Sequence, residues 1–489
     1  MNLLPRMIST TSTQRRPNFL WLLVAVVAAG PSASAQQPPG GRNPPSFAAA
    51  MQLEKEGKYL AALRALGKPE PSGNSNSTRL QVESWARNAV GQYDAGQKAF
   101  NDSRAISARP TTPPTAEELK AVRDVPLVPA EELVLDAVKR HQVVILNEAH
   151  HQPEGRALGA RIIPRLPALG VKYFALETGN QAALDQAVKT GLVKTDTDPY
   201  SFDPPRAGLL RAVVSAGLTP VAIDLHPDEG AKSPTDPGER LTFRESSMAR
   251  HLQGILKSDS KAKVFVWVGF SHALKTPQGP RNTTWMAARF WKETGIEPFS
   301  IYQMSDASDP ALADPIYRLM VMAAGREVKA PMATRLPVES FGTAMPAEVL
   351  QHPVYSLLAK LGADAVVLHP RKTATSAAKR PAWLRPADAA EIEGQLTCGR
   401  ADCFGFLVQA VRAECADGDA TEAPFDQVVT EAAGAFALRV PAGSYKLRVW
   451  ALPDGADKDV LTAVVPAQTY AAGQKVTRDI RIKTEAKDP

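Results

Sequence analysis

The sequence predicts an α/β core domain with a mostly parallel sheet, preceded by a short helical region and followed by a small all-β sandwich. Three observations predict this. The chain has 489 residues, which is too long for one typical domain. Through its middle, apolar strand-like segments alternate with helical segments, as they do in α/β domains. Towards its end, apolar and polar positions alternate between turn residues, a pattern typical of antiparallel sheets.

Residues 1–35 have the pattern of a signal peptide. Arg15 and Arg16 precede "NFLWLLVAVVAAG", an apolar run too short to span a bilayer easily, and Ala33–Ala35 form a small-residue cleavage site. We therefore expect an exported protein, periplasmic or secreted, with no stable transmembrane span after signal cleavage. An uncleaved membrane anchor is the alternative.

The charge of the chain does not favour nucleic acid as a partner. The net charge of the full chain is +6. The signal segment contributes three arginines and no acidic residue, so its cleavage leaves a net charge of +3. No dense stripe of Lys and Arg with interleaved aromatic residues occurs in the sequence. We expect no nucleic-acid binding.

A Pro/Gly-rich linker at 36–46 leads into a helical region at 47–107. Two segments of this region carry apolar residues at helical spacing, and the first is broken by Gly-Lys-Tyr. Together they resemble a tetratricopeptide-like helical pair, which would pack on the next domain or on a protein partner.

The α/β domain is expected over 115–390. Its predicted strands are "QVVILNE", "VKYFALE", "LTPVAIDLH", "AKVFVWVGFSH", "EPFSIYQM" and "GADAVVLHP". Between them lie predicted helices, of which "PEGRALGARIIPRLPALG" contains proline. Continuous apolar strands of this kind are typical of a parallel sheet that is buried on both faces.

A β-sandwich is expected over 395–489. "GAFALRVPAGSYKLRVW" predicts two alternating strands around a turn and resembles carboxypeptidase-regulatory-like domains. All three cysteines lie here. Export permits disulfides, with Cys398–Cys403 as the first choice and Cys403–Cys415 as the alternative, so the pairing stays open. The cysteine spacing does not favour a zinc site.

Carboxylates and imidazoles recur where the predicted strands end. The strand ends carry Glu148, His150, His151, Glu177, Asp224, His226, His272 and His369. The helix before the fourth strand also contains Arg244 and Glu245. Ligands of parallel sheets bind beyond the carboxyl ends of the strands. One polar strand end commonly just faces water, but several in a row favour a site for acid–base chemistry or metal binding.

Some neighbouring residues are open between a site role and a structural one. Asp224 and His226 are equally compatible with either, and so are Tyr200 and Arg206 on a loop. His369, followed by Pro-Arg, is expected at the surface. His141 and His251 are expected to be ordinary residues of helix faces. The sequence contains no nucleophile elbow, no P-loop, no dinucleotide-binding glycine motif and no H-E-x-x-H.

The motifs "ILNEAHH", "FALET", "RESSMA" and "WVGFSHA" resemble the superfamily of erythromycin esterases, ChaN-like haem-binding proteins and Tiki-type metalloproteases. The resemblance covers roughly 140–305, and Asn147 stands where that family usually has Gly. His150 matches the ChaN-like spacing from the Glu, whereas His151 matches the esterase spacing. The set of predicted site residues is Glu148, His150, His151, Glu177, Arg244, Glu245 and His272.

Three functions are kept as hypotheses, of which the first two are implied by the resemblance and the third rests on the helical pair and the sandwich. The first is an exported hydrolase, of the erythromycin esterase-like type, that cleaves an ester, lactone or amide of a small-molecule or peptide substrate with activated water. A divalent metal on Glu148, His150, Glu177 and His272 would assist it in the Tiki-like case. The second is a ChaN-like haem- or metal-binding protein without catalysis. The third is an envelope interaction protein with a degenerate site.

Overall fold

The structure is a computed structural model that describes the following residues: 46–67, 73–106, 112–278, 282–303, 312–342, 345–370, 376–384, 389–398, 405–430, 434–453, 456 and 458–482. The predicted signal peptide and nearly all of the linker lie outside these ranges. Within them, no helix has both the length and the apolarity that crossing a membrane requires.

The helical region contains four helices: α1 (Ser46–Lys55), α2 (Tyr59–Leu66), α3 (Gly73–Ala89) and α4 (Tyr93–Ala105). The predicted break at Gly-Lys-Tyr separates α1 from α2. Gly57 in this break has a φ of 73°, and a Cβ there would lie 1.9 Å from the backbone oxygen of Ala420. Only glycine fits this turn, because the conformation is left-handed and the sandwich approaches closely.

The middle of the chain forms one sheet of eight strands, in the order β1-β7-β8-β6-β2-β5-β3-β4. The strands are β1 (Val128–Pro129), β2 (Val143–Glu148), β3 (Val171–Leu176), β4 (Thr219–Ala222), β5 (Lys263–Gly269), β6 (Phe299–Gln303), β7 (Met332–Arg335) and β8 (Ala365–Leu368). From β8 to β4 all neighbours are parallel, as predicted. β7 and β1 add an antiparallel edge that the sequence patterns did not indicate.

Helices cover both faces of this sheet. They are α5 (Ala116–Arg123), α6 (Ala130–Arg140), α7 (Pro153–Ile162), α8 (Gln181–Thr190), α9 (Pro204–Ser215), α10 (Pro227–Gly230), α11 (Pro237–Ser258), α12 (Met286–Thr294), α13 (Pro315–Tyr317), α14 (Ala347–Gln351) and α15 (Pro353–Leu361). In β2, Val144 and Leu146 join one core cluster, and Val143 and Ile145 join another. Side chains of a strand alternate between its two faces, so burial on both faces explains the continuous apolar run.

The proline-containing segment after β2 is not one helix. α7 ends at Ile162, and two short 3-10 turns follow at Ile163–Arg165 and Pro167–Leu169. Pro164 and Pro167 have no N–H to donate, and their rings clash with the preceding helical turn, so the α-helix cannot continue.

The last part of the chain forms two small sheets over a common core. The strands are β9 (Ala390–Cys398), β10 (Phe406–Arg412), β11 (Asp426–Thr430), β12 (Ala435–Val440), β13 (Gly443–Ala451), β14 (Val460–Tyr470), β15 (Lys475–Thr477) and β16 (Ile480–Ile482). β11-β10-β13-β14 are antiparallel, and β9 pairs with β12 antiparallel but with β15 and β16 parallel. Cys415 is buried and free. The predicted Cys398–Cys403 pair lies outside the described side chains.

Candidate functional site

Three adjacent strands bring the predicted site residues to one edge of the sheet. β5 lies between β2 and β3, and Glu148 at the end of β2 is in register with Gly269 at the end of β5. Glu177 follows directly after β3, and its backbone N–H donates to the carbonyl of Trp267. The carboxyl ends of these strands therefore meet, as the sequence predicted.

Glu148 lies at the centre of a buried polar network and is 2% exposed. Arg156 of α7 binds it through two donors, Nε to Oε2 at 3.0 Å and Nη2 to Oε1 at 2.7 Å. Trp267 Nε1 donates to Oε2 at 2.6 Å. Arg206 Nη1 lies 3.6 Å from the same oxygen. A carboxylate with this many donors is held in one orientation.

The network also fixes the charge of Glu148. Burial by itself would raise the pKa of the Glu148 carboxyl, but Arg156 and Arg206 outweigh burial and hold this pKa well below its usual range. Glu148 is therefore a permanent anion that accepts hydrogen bonds and does not supply a proton.

His150 lies within this network. Its Nδ1 is 2.9 Å from Glu148 Oε1. The ring stacks on Tyr200 at 4.3 Å between centroids, and Trp85 of α3 contacts it edge-on at 5.9 Å. The opposite edge of the ring, Cε1 and Nε2, lies next to Gly269 and faces the pocket. A carboxylate on Nδ1 fixes the tautomer with its proton on Nδ1, which leaves Nε2 as the basic nitrogen.

His151 points away from this pocket. It is fully buried, and its ring stacks on Phe100 of α4 with 3.3 Å between centroids. Its backbone oxygen accepts from Asn88 Nδ2 at 2.8 Å. The two neighbouring histidines thus have different surroundings: His150 lines the pocket, and His151 packs against the helical region.

Glu177 and Arg244 form the second half of the site. Arg244 Nη2 donates to Glu177 Oε1 at 2.6 Å, while Arg244 Nε and Nη2 hold Asp224 at 2.8 and 2.6 Å. The backbone N–H of Gly269 donates to Glu177 Oε2. Burial alone would raise the pKa of Glu177, but His272 and Arg244 hold it well below its usual value. Asp224 therefore orients Arg244 in this structure.

His272 lies between two carboxylates. Its Nδ1 is 2.9 Å from Glu245 Oε1, and its Nε2 is 3.4 Å from Glu177 Oε1. Glu245 is fully buried and also accepts from the backbone N–H of Met286 at 2.8 Å. Burial lowers the pKa of His272, but Glu245 and Glu177 together raise it to about 10. His272 is therefore an imidazolium at neutral pH.

Between these side chains lies a small pocket. About 140 Å³ of space, partly open to solvent, lies between its walls. The lining residues are Glu148, His150, Glu177, Tyr200, Arg206, Trp267, Val268 and Gly269. In this structure the walls of the pocket lie close together.

Two of the predicted metal ligands are already paired with arginines in this structure. Arg156 and Arg244 form ion pairs with the carboxylates of Glu148 and Glu177. Metal ligation would have to displace these cations. The pocket is also far smaller than a haem. Metal and haem binding at this position stay predictions from the resemblance.

Several residues of the site did not emerge from the sequence. Arg156 and Trp267 were not singled out, although Arg156 lies in the first turn of the helix that follows Glu148. Tyr200 and Arg206 are both buried in the site, where the sequence left them open. Trp85 comes from the helical region, and no local pattern connects it with the strand ends.

The other histidines also have definite places. His369 is buried, not at the surface, and its Nε2 lies 2.8 Å from Gln303 Oε1. The backbone N–H of Gln303 in turn donates to Asn147 Oδ1 at 2.6 Å, and Asn147 Nδ2 donates to the backbone oxygen of Phe270 at 2.9 Å. Asn147 therefore has a structural role where the resembling family usually has Gly. His226 and His251 lie outside the pocket and stack on each other.

Comparison with known proteins adds little. No family model matches the chain, and no curated protein matches it. Among solved structures, it is similar to the type III effector HopBA1, with 16% identity, coverage of 37% of this chain and 86% of that chain, and a TM-score of 0.26. It is also similar to a protein from Bacillus cereus, with 12% identity, coverage of 53% of this chain and 98% of that chain, and a TM-score of 0.39. A third similar structure is RRSP, a MARTX toxin effector domain from Vibrio vulnificus, with 14% identity, coverage of 54% of this chain and 58% of that chain, and a TM-score of 0.29. Likenesses at these TM-scores carry no argument about function.

Proposed function

We propose that this protein is an exported hydrolase of the erythromycin esterase-like type, which cleaves an ester or lactone with water activated by His150. The observation that carries the proposal is the Glu148–His150 pair. Glu148 binds Nδ1 of the ring, and Nε2 faces the pocket. A histidine oriented by a carboxylate through one nitrogen and free to act at the other is the usual arrangement for general base catalysis.

In the proposed reaction, His150 Nε2 takes a proton from water while the water oxygen attacks the carbonyl carbon. The carbonyl double bond opens, and a tetrahedral anion forms. The protonated His150 then gives its proton to the leaving alkoxide as the carbon–oxygen bond breaks. The products are a carboxylic acid and an alcohol, and the ring returns to its starting state. Glu148 is a positioning residue that stabilises the imidazolium and is not itself protonated.

A cation in the wall of the pocket supports the same reaction. Arg206 lines the pocket, whereas Arg244 and His272 do not line it and are paired with the carboxylates of Glu177, Asp224 and Glu245. Cations that are already in place when negative charge develops on the substrate oxygen lower the barrier, because no reorganisation is needed.

The test compares His150→Gln with the unaltered protein on a panel of aryl and alkyl esters and lactones. Loss of a general base lowers kcat about 10²–10⁴-fold. His352→Gln is the control, because His352 is a partly buried histidine that lies away from the pocket, near the Ala121 carbonyl. Exogenous imidazole is expected to restore part of the activity to a smaller variant, His150→Gly.

Hydrolysis that is unchanged in His150→Gln while the protein remains folded would rule out the proposed base. Zinc that hydrolysis requires and that the original protein binds but His150→Gln does not would instead support the metal-assisted alternative. A Soret band in the purified protein would support the haem-binding alternative.

A further inference from the structure

A second group of ligand-type side chains lies outside the pocket. His226 immediately precedes α10, Glu229 is in α10, and His251 is in α11. One potential ligand atom from each of the three lies within 4.8 Å of the other two. It is the one such group found among the residues that the structure describes. All three side chains are partly exposed, so an ion could reach them from solvent.

His251 is oriented as a metal-binding histidine normally is. Its Nδ1 lies 2.9 Å from the backbone oxygen of Ile223, so Nδ1 carries the proton and donates it. Its Nε2 lies 3.1 Å from Glu229 Oε2, so a metal bound between these two atoms would take the place of a proton that they share. Metal-binding histidines commonly donate their other ring N–H to a carbonyl or carboxylate, which fixes the ring orientation.

His226 completes the group from the other side. Its ring stacks on that of His251, with 4.3 Å between centroids. Its Nε2 is 3.3 Å from the backbone oxygen of Ala222, and its side chain also accepts from the backbone N–H of Glu229 as the cap of α10, so a metal would replace one of these two contacts. The α10 helix that follows brings Glu229 to the same place within one turn.

We propose that His226, Glu229 and His251 bind a divalent transition-metal ion of the zinc class. Two imidazoles and one carboxylate are the usual donors for zinc, and three protein ligands leave a fourth position for water. Calcium and magnesium prefer oxygen donors only. In a tetrahedral site with bonds of about 2.0–2.1 Å, donors are about 3.3 Å apart. Side-chain rotations of partly exposed residues can close the remaining distance from 4.8 Å.

Arg250 is the group that opposes a cation here. Its Nη2 lies 3.2 Å from Glu229 Oε1 and also contacts Ser247. The Arg250 side chain is 52% exposed, so it can turn into solvent when an ion binds. Glu229 Oε2, the oxygen next to His251, does not depend on this contact.

An ion at this position would stiffen the support of the pocket. Asp224, which orients Arg244, lies two residues before His226. Arg244 lies two turns before His251 on α11, about 10.5 Å away along the helix axis. The ion would therefore link the loop after β4 to the helix that carries Arg244, at a place distinct from the pocket itself.

The experiment is a zinc titration of the chelator-treated full protein in competition with a chromophoric chelator. We expect one equivalent of zinc to bind, and Glu229→Gln and His251→Ala to weaken binding more than tenfold. Cobalt(II) in place of zinc is expected to give visible absorption bands that the same variants abolish. His352→Ala is the matched control, since His352 is also partly buried, near a carbonyl and against Tyr355. It should bind zinc normally.

Three results would overturn the proposal. One is the absence of zinc binding at micromolar concentrations. Another is normal binding in a folded Glu229→Gln variant, whose side chain has nearly the original size. The third is loss of binding in His150→Ala but not in Glu229→Gln, which would place the metal at the pocket. Circular dichroism of the metal-free variants shows whether they are folded. If His251→Ala is unfolded, the zinc affinity of Glu229→Gln decides the test.

Discussion

His272 links the charge of the pocket to the stability of the protein. Its folded-state pKa of about 10 lies above the ordinary value of 6.5, because the carboxylates of Glu245 and Glu177 outweigh burial. A group with a raised pKa stabilises the fold fully below its unfolded pKa and loses this contribution as pH rises through its folded pKa. The contribution is therefore present below about pH 6.5 and decreases between about pH 6.5 and 10.

We predict that this pH dependence disappears in His272→Gln. Urea unfolding of both proteins at a series of pH values measures it. The stability difference between the original protein and the variant should be constant below about pH 6.5 and shrink steadily towards about pH 10. Parallel stability curves over the whole range would show that His272 is not held protonated by its two carboxylates.

At the level of single residues, the sequence could predict which side chains lie at the strand ends but not how they pair. Glu148, Glu177 and His272 follow apolar strands directly, so the parallel sheet alone brings them together. Which of His150 and His151 lines the pocket depends on Phe100, about fifty residues earlier in the chain, because the Phe100 ring stacks on His151. Arg206 likewise reaches Glu148 from a distant loop, and only the folded chain shows this contact.

The end of β5 determines how closely the two halves of the pocket approach. A Cβ at Gly269 would lie 2.5 Å from His150 Cε1 and Nε2 and 2.8 Å from Glu177 Oε2. Because Gly269 has no side chain, His150 can lie next to Glu177 at this strand end. Helices contribute the rest, because α7 supplies Arg156 and α11 supplies Arg244.

We predict that Gly269→Ala lowers ester hydrolysis at least tenfold, since a displacement of about 1 Å at a catalytic group can cost about 100-fold. The expected loss of stability is only about 1–3 kcal/mol, because side chains and not backbone must move. Steady-state kinetics and urea unfolding measure the two effects. Gly208→Ala, in a helix with nothing within 4 Å of the added Cβ, is the control and should keep full activity. Full activity in Gly269→Ala would mean that this close approach is not needed.

At the level of elements, the alternation of apolar segments was enough to predict the parallel strands of the sheet. The alternation did not predict elements that are too short to show a pattern, or helices that are interrupted by proline. β7 has four residues and β1 two, which is too short for a pattern, and prolines divide the segment after β2. The helical region showed helical spacing, but nothing local indicated that α3 would place Trp85 against His150.

Across the whole molecule, one buried cluster is shared by three regions. These are the helical region, the eight-stranded sheet with its helices (the sheet domain) and the C-terminal sandwich. Trp85 of α3, Tyr200 and Phe202 of the sheet domain, and Leu407 and Trp450 of the sandwich belong to the same buried cluster. Backbone hydrogen bonds also cross between regions. Val429 N–H donates to the carbonyl of Val90, and Thr195 N–H donates to that of Thr421. A wall of the pocket thus depends on all three regions.

We predict that the three regions unfold together and that a change in the sandwich destabilises all of them. Trp450 is buried in the shared cluster, and Trp450→Ala is expected to cost about 3–5 kcal/mol. At about 2.1 cal/mol/K per residue, this lowers the melting temperature of a chain of this size by about 3–5 °C.

Scanning calorimetry should therefore show one transition, with matching calorimetric and van't Hoff enthalpies, that moves as a whole in the variant. Val460→Ala, at an exposed position of β14, is the control and should leave the transition in place. Two transitions, of which Trp450→Ala moves only one, would mean that the sandwich folds independently of the pocket. In that case the ester hydrolysis of Trp450→Ala should equal that of the original protein below the first transition. If the core is shared, hydrolysis should instead fall, because the displaced cluster carries Trp85 and Tyr200 away from His150.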